Sequence, residues 1–438
     1  MTSLSHRYKI LLTILAGLIC MVGMASDLNS RRISTRDGLS SNKVFDMVQD
    51  PDGYMWLGAD NALCRYDGYQ MVVIDFMQIG SEKVRANVGN LYIDERQQLL
   101  WVRTVNYNYG CYNLRMQRFE DYTCGADALR SYRRCLISQR GFWMYDDGVG
   151  IRHVDHSKMK YHLTDYTKEN GNLISNHVKK LFEDKESNIW AILDKGIARI
   201  DNKGKVSVFL PSIEVSCGNS TDSKCFFITA SNHLLVFSLD GRQLKDMALP
   251  DDMRATDLKN SSFFWQNKWV LPAQGYVAVM NCGDFSFSRP EEMQLHSALL
   301  LDSENGNYVL GDGGTLCLFP DKGKAKRMTL MQSTLYTGTR SRKFTTRIGN
   351  DGRFYIASYG NGLYIYDPKT DATEHHQASD PQPAIVSNYL INLTCDRSGG
   401  VWVSMEDAGL AVISGGKGLQ TKYLHPISSN DGDWWLTL

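Results

Sequence analysis

Proline is scarce, at 10 of 438 residues, and no charge of one sign dominates. Lys plus Arg and Asp plus Glu both number 48, so the formal net charge is zero. A nucleic-acid-binding protein carries a basic excess or a dense Lys/Arg run, and neither is present, which sets nucleic acid aside as a partner. Ten cysteines occur, but no Cys-x-x-Cys pair, so zinc and dithiol redox chemistry have no motif to rest on. Gly-x-Ser-x-Gly and His-Glu-x-x-His are also missing, which removes the nucleophile elbow and the zincin helix. Ser414-Gly415-Gly416-Lys417-Gly418 fails the phosphate-loop rule, because Gly follows the lysine. Gly148-Val149-Gly150 lacks the third glycine of a dinucleotide loop. The reading is therefore of a non-enzyme that needs no cofactor or metal.

Long apolar runs are equally rare. The longest begins after Arg7 and Lys9 and extends from Ile10 to Val22, with Gly23 and Ala25 behind it. A charged start, a short apolar stretch and small residues at the cut describe an export signal over residues 1–25, with a signal anchor that stays uncut as the alternative. The expected location is the periplasm. Cys20 would leave with the leader. Cys217 and Cys225 could bridge, and Cys64 and Cys317 read as small apolar residues of buried strands.

What is abundant is repetition. Residues 39–67, 173–201 and 385–413 read alike: Ser-Asn, an apolar alternation, Asp, a turn, Trp, a second alternation and a closing strand. Asp50 and Trp56, Asp184 and Trp190, and Asp396 and Trp402 are each six apart. Weaker copies extend an aromatic or apolar column through Trp101, Trp143, Leu235, Trp269, Tyr308 and Tyr355. Most gaps are about 40–47 residues, the period of a four-stranded propeller blade. Asp50-Pro51-Asp52-Gly53 is a turn between two alternating strands. The fold class is thus all-β, a β-propeller of four-stranded antiparallel blades. Nine units predict a seven-bladed ring over residues 26–330 and the first blades of a second propeller over 331–438; a single eight- or nine-bladed ring is the alternative. Asn29 to Thr35 would supply the closing strand. Asn430 to Leu436 looks like the opening of a tenth unit cut short.

The motif Gly38-Leu39-Ser40-Ser41-Asn42, Asp50 to Gly53, Met55-Trp56-Leu57-Gly58 and Leu63 to Asp67 resembles the two-component regulator propeller repeat. Ser175-Asn176 and Ser387-Asn388 repeat its first element. The resemblance implies the periplasmic sensor region of a hybrid two-component histidine kinase, which responds to polysaccharide breakdown products. It also implies a homodimer in the full-length receptor and places the kinase outside this chain. Alternatives are a protein-interaction scaffold or a propeller lyase or glycosidase. An oligosaccharide would meet loops gathered on one face, where aromatic rings and planar polar groups suit sugars. The candidates are Asn106, Tyr107, Tyr109, Asp146, Asp147, Tyr359, Asn361 and Glu406. His153, His156, His162, His375 and His376 read as solvent-exposed strand histidines, not metal ligands.

Overall fold

The computed structural model describes residues 29–414, except 80–81, 124–131, 158–159, 260, 296–298, 305–306, 313–314, 330–343 and 407. The leader expected over residues 1–25 and the tenth unit expected at 430–436 lie outside the described residues. Among the described residues no helix is long and apolar enough to cross a membrane.

The alternation of apolar residues builds nine four-stranded antiparallel sheets, each a blade. In chain order they occupy residues 44–74, 88–120, 134–166, 178–209, 215–248, 263–288, 299–329, 344–376 and 390–414. The ninth has three strands of its own and takes its fourth from the N-terminus. Asn29–Ile33 pairs antiparallel with Gly409–Ser414, from Asn29 opposite Ser414 to Ile33 opposite Leu410. A short hairpin, Met77–Ile79 with Glu82–Val84, is inserted between blades 1 and 2.

A strand presents successive side chains to opposite faces, so each blade offers one apolar set to the blade before it and another to the blade after it. Nine buried clusters result, one at each junction. Trp56 and Leu63 of blade 1 meet Val88, Leu91 and Leu100 of blade 2. Trp101 and Tyr109 then meet Phe142 and Met144, and Trp143 and Ile151 meet Val178 and Ile189. Trp190 and Ile192 meet Phe227 and Leu235, and Phe226 and Ile228 meet Trp269 and Leu271. Trp265 and Val270 meet Cys317 and Phe319, and Val309 and Leu316 meet Phe344 and Phe354. Tyr355 and Leu363 meet Leu390 and Val401. The last cluster joins Trp402, Leu410 and Val412 of blade 9 to Val44, Met55 and Leu57 of blade 1. The ring is closed.

That closure corrects the expected seven blades plus an incomplete second propeller: there are nine blades in one cycle. The boundary expected at residue 331 falls in a stretch outside the described residues. The apolar interfaces on either side of it continue without interruption. A seven-bladed ring would need blade 7 to face blade 1; here blade 7 faces blade 8, and the face of blade 1 is taken by blade 9.

The three strong repeats share one local device. The indole N–H of Trp56 donates to Asp50 Oδ2, that of Trp190 to Asp184 Oδ2 and that of Trp402 to Asp396 Oδ2, each at 2.7 Å. The second carboxylate oxygen caps the turn, taking Tyr54 N (2.9 Å) in blade 1, Glu186 N and Asn188 N (2.9 Å each) in blade 4, and Gly400 N (2.8 Å) in blade 9. Blade 8 has Gly349 at the aspartate position and substitutes Asp351, four residues before Tyr355, whose hydroxyl donates to it at 2.9 Å. Blade 2 loses the device. Asp94 and Trp101 are seven apart rather than six, and Asp94 Oδ2 and Trp101 Nε1 are both buried without a hydrogen-bond partner.

The aromatic column also contains two corrections. Leu235 lies on the third strand of its blade, His233–Ser238, and the residue equivalent to Trp56 is Phe226, on Lys224–Thr229. Trp269 and Tyr308 pack backward, against Phe226 and Phe263 respectively, whereas Trp56, Trp101, Trp143, Trp190, Tyr355 and Trp402 pack forward. A one-residue shift in register moves a strand's side chains to the other face.

All eight described cysteines are free. The bridge expected between Cys217 and Cys225 does not form, because they sit on opposite faces of blade 5. Cys217 belongs to the junction with blade 6 and Cys225 to the junction with blade 4. Cys64 and Cys317 are fully buried on third strands, as small apolar residues.

Asp184→Ala should lower stability by about 2–3 kcal/mol in urea denaturation, since it leaves the Trp190 indole and the turn N–H groups without their acceptor. A loss under about 0.5 kcal/mol would refute the role assigned to the carboxylate. Gly409 tests the closure. Its φ is 80°, and a Cβ there would lie 2.3 Å from the Ile33 carbonyl oxygen. Gly409→Ala is expected to speed amide exchange in residues 29–33 and 409–413 ahead of the other blades; uniform protection across all nine would contradict it.

Candidate functional site

The loops between second and third strands share a face with the segments that lead into each first strand. Backbone bonds make the connection blade after blade. Asp60 N donates to Lys43 O (3.3 Å), Val105 N to Asn87 O (3.0 Å) and Asp194 N to His177 O (2.9 Å). Ala230 N donates to Glu214 O (2.8 Å) and Glu406 N to Tyr389 O (2.9 Å). The Ser-Asn element belongs to this stitching. Asn42, Asn176 and Asn388 accept Thr35 N (2.9 Å), Lys168 N (2.7 Å) and Ala378 N (2.8 Å) on their side chains. Their carbonyls accept Gly409 N (3.0 Å), Gly150 N (3.1 Å) and Gly362 N (3.1 Å) of the preceding blade. The repeat motif thus shapes the face from below and leaves the loop tips to differ.

Seven of the eight sequence candidates reach this face, in two arcs. The first runs over blades 2 to 4. Asn106 and Tyr107 lie in the loop between Leu99–Thr104 and Tyr109–Asn113. The Tyr107 ring is 39 % exposed and has the Arg103 and Arg133 guanidinium groups 5.3 and 5.9 Å from its centroid. Arg133 continues to Asp146, with Nε 3.7 Å from Oδ2. Asp146 itself is nearly buried and accepts Arg133 N (3.2 Å) and Asp147 N (2.8 Å), so it serves the backbone first. Asp147 is exposed and pairs with His177 Nδ1 of blade 4 at 2.7 Å. The second arc joins blades 8 and 9. The Tyr359 hydroxyl donates to Glu406, and its ring meets that of Tyr389 edge-on, centroids 5.2 Å apart. Asn361 accepts His375 Nε2 on its carbonyl at 2.6 Å.

Tyr109 is the exception. It opens a strand rather than sitting in the loop, is 1 % exposed and packs edge-on against Phe142 in the junction of blades 2 and 3. Its ring belongs to the core, because Asn106, Tyr107 and Asn108 already complete the turn. Burial pushes its phenol well above the usual range.

Sequence reading missed Arg103, Arg133, His177 and Tyr389. For Arg103 a signal was present. The position two residues after the column Trp holds Gly58, Tyr145, Ile192 and Ser404 in other blades, and a charge only in blade 2. His177 and Tyr389 follow the Ser-Asn element directly, at the position that Lys43 holds in blade 1, whereas Arg133 lies in a connecting segment outside the strong repeats.

A groove of about 810 Å³ opens beside the first arc, lined by Gly148, Val149, Asp165, Thr167, Glu169, Asn170 and Asn176. Its polar groups largely engage one another. Asn176 Nδ2 donates to both Glu169 oxygens at 2.9 Å, holding that carboxylate below its usual range. Asp165 is held bidentately by Arg152, at 2.7 and 2.9 Å, on the far side.

Nor do the histidines converge. Among the described residues no group of three or more His, Cys, Asp or Glu side chains is spaced to hold a metal ion. His153, expected at the surface, is 7 % exposed: it stacks on Trp143 with centroids 3.8 Å apart and Nε2 donates to Arg140 O at 2.9 Å. His375 stacks on Tyr364 at 4.0 Å. Close to the axis, Lys180 on the first strand of blade 4 donates to Gly218 O at 3.0 Å, and burial pushes its ammonium down to about 8. Asp46 accepts Leu91 N (2.9 Å) and Asn392 Nδ2 (2.8 Å), and burial raises its carboxyl.

Fold and face together define a β-propeller with a laterally connected loop surface. Residues 38–61, the first strand, turn and second strand of blade 1, match the family described as two component regulator propeller. Among solved structures, the chain is 15 % identical to the extracellular domain of a hybrid two component system from B. thetaiotaomicron, with a TM-score of 0.38 over 88 % of this chain and 65 % of that one. A second such domain from the same organism gives 13 %, 0.39, 87 % and 66 %. BamB from Moraxella catarrhalis gives 11 %, 0.44, 88 % and 98 %. The chain therefore spans about two thirds of the length of the two extracellular domains, just short of it in each case. No curated protein matches the sequence.

Burial pushes the His153 imidazole down to about 4. In the unfolded chain it titrates near ~6.5. Between these values the unfolded state binds the proton and the native state does not, so this residue's contribution to stability falls as pH drops from 6.5 toward 4. The stability of wild type relative to His153→Gln, from urea midpoints at pH 7 and 4.5, should fall by about 2–3 kcal/mol. An unchanged difference would place His153 in contact with solvent.

Proposed function

We propose that this chain is the ligand-sensing propeller of an extracytoplasmic signalling receptor, exported to the periplasm and binding a small oligosaccharide on its loop face. The observation that carries the reading is the two component regulator propeller match at residues 38–61. The same Ser-Asn, Asp and Trp elements recur with the same bonds in blades 4 and 9, which supports extending it along the chain. Sensing requires only that the ligand bind two receptor states unequally. A rigid ring with diverse loop tips suits that task, and exposed Tyr107 and Tyr389 beside Asn, Asp and Glu side chains give it polar and aromatic groups. In the full-length receptor the propeller would act as a homodimer, with the kinase outside this region. We assign it no reaction.

One feature favours a second reading, a protein-interaction scaffold. The outer edge of blade 1 exposes Tyr69, Val72, Val73 and Phe76, by 67, 42, 36 and 55 %, in one short run. Outer strands elsewhere mostly carry charges, as in Lys326–Thr329 and Ala372–His376.

Thermal-shift screening of the purified protein against a broad panel of oligosaccharides tests the sensing reading. One class should raise the melting temperature by several degrees at saturating concentration, as mass action on the folded state requires. Silence across the panel would remove the sugar from the proposal.

A further inference from the structure

The loop of residues 105–108 is among the longer strand connections of the face, matched in length by residues 273–276 of blade 6. It is four residues long where the equivalent turn of blade 1 is Asp60-Asn61. Tyr107 at its tip has φ 64°, in the left-handed region. Asn takes that conformation readily, and Asn61 and Asn232 do so in equivalent turns at 62° and 63°. A tyrosine there costs about 1–3 kcal/mol and persists where the surroundings hold it, which is most often at a functional site.

Two guanidinium groups flank that ring. Arg103 Nη1 donates to the carbonyl of Arg133 itself at 2.7 Å, so the two arginines are adjacent. Arg103 Nη2 donates to the Asn90 amide oxygen, and Nε is buried without a hydrogen-bond partner. Both acceptors are therefore neutral oxygens, and among the described residues no carboxylate oxygen lies within 4.0 Å of the guanidinium. The Arg133 guanidinium approaches Asp146 with Nε 3.7 Å from Oδ2, and its side chain is 71 % exposed. A guanidinium carries five N–H donors, so most of those on Arg133 face outward.

We infer that Arg103 and Arg133 form an anion subsite on the loop face, receiving a carboxylate or sulfate ester of the bound ligand while Tyr107 holds the guanidinium planes apart. The inference rests on the ligand-sensing reading and narrows its ligand class. Guanidinium forks recognise both oxyanions with paired hydrogen bonds. Asp147 and His177 lie next along the arc and would border the ligand's neutral part.

The test is isothermal titration of the purified protein with three probes: oligogalacturonate, its neutral methyl ester, and a 6-sulfated N-acetylgalactosamine disaccharide. One charged probe should bind at least tenfold more tightly than the ester, and the choice between carboxylate and sulfate identifies which oxyanion the fork accepts. Arg133→Gln, at an exposed side chain, should weaken that probe at least tenfold without changing the melting temperature of the free protein, and Arg133→Lys should recover only part. Arg103→Gln should do the same where it folds. If the ester binds as well as the charged probes and Arg133→Gln has no effect, the anion subsite is overturned and the sensing reading survives. If none of the three binds, the anion subsite falls, and the panel of neutral oligosaccharides decides the sensing reading separately.

Discussion

Everything in this molecule depends on apolar contact between the faces of neighbouring sheets. A single four-stranded blade cannot hide both of its faces, and only a closed cycle leaves none uncovered. The column of large aromatics fills the gap between splayed sheets. Each buried indole removes about 150–250 Å² from water, worth roughly 4–6 kcal/mol as an upper bound. An added hydrogen bond contributes about 1 kcal/mol. Packing therefore sets the ring, and the Asp–Trp bond keeps the indole N–H from being buried unsatisfied. Blade 2 makes the same point from the other side. One extra residue in its turn leaves Asp94 Oδ2 and Trp101 Nε1 without the bond between them, yet Trp101 still stacks on Phe142 at 4.2 Å.

The blade itself was legible because its signals are local. Alternation, the Asp-Pro-Asp-Gly turn and the Asp-to-Trp spacing all lie within one blade, and Asn29–Ile33 was recognisable as a closing strand by its position ahead of the first repeat. The number of blades was not legible in the same way. It depends on which blade Trp402 faces, a relation between residues more than 300 apart in sequence. The strongest repeats are blades 1, 4 and 9, which gives no reason to stop at seven. Where the aromatic drifted, the reading drifted with it. Leu235 and Phe226 both lie in alternating apolar strands, and only the pairing of Asn219 with Phe226 separates second strand from third.

The loop face divides along the same line. Tyr359 and Glu406 were expected near one another only as members of the same class of loop, and the structure bonds them across two blades. Tyr107 was found as a loop aromatic, but Tyr109 was placed beside it because nothing in Tyr-Asn-Tyr tells which tyrosine begins the strand. The deciding fact is the left-handed backbone at Tyr107, which turns the chain early enough for Tyr109 to point into the core. The arginines were missed because guanidinium groups read as solvated surface until their partners are known.

The division of labour between the two ends of each blade has a further consequence. The Asp-capped turn joins first strand to second, whereas the variable loop joins second to third, so the two lie at opposite ends of the second strand. The aspartate latch and the aromatic column therefore stabilise the ring from positions the loop tips never touch. A loop can lengthen, as at 105–108, or acquire an arginine beside it, without disturbing Asp50, Asp184 or Asp396. What the loops do need is a fixed base, and Asn42, Asn176 and Asn388 supply it by tying each connection to the blade before. A face built this way can change its chemistry blade by blade while the distances between blades stay set by apolar packing below.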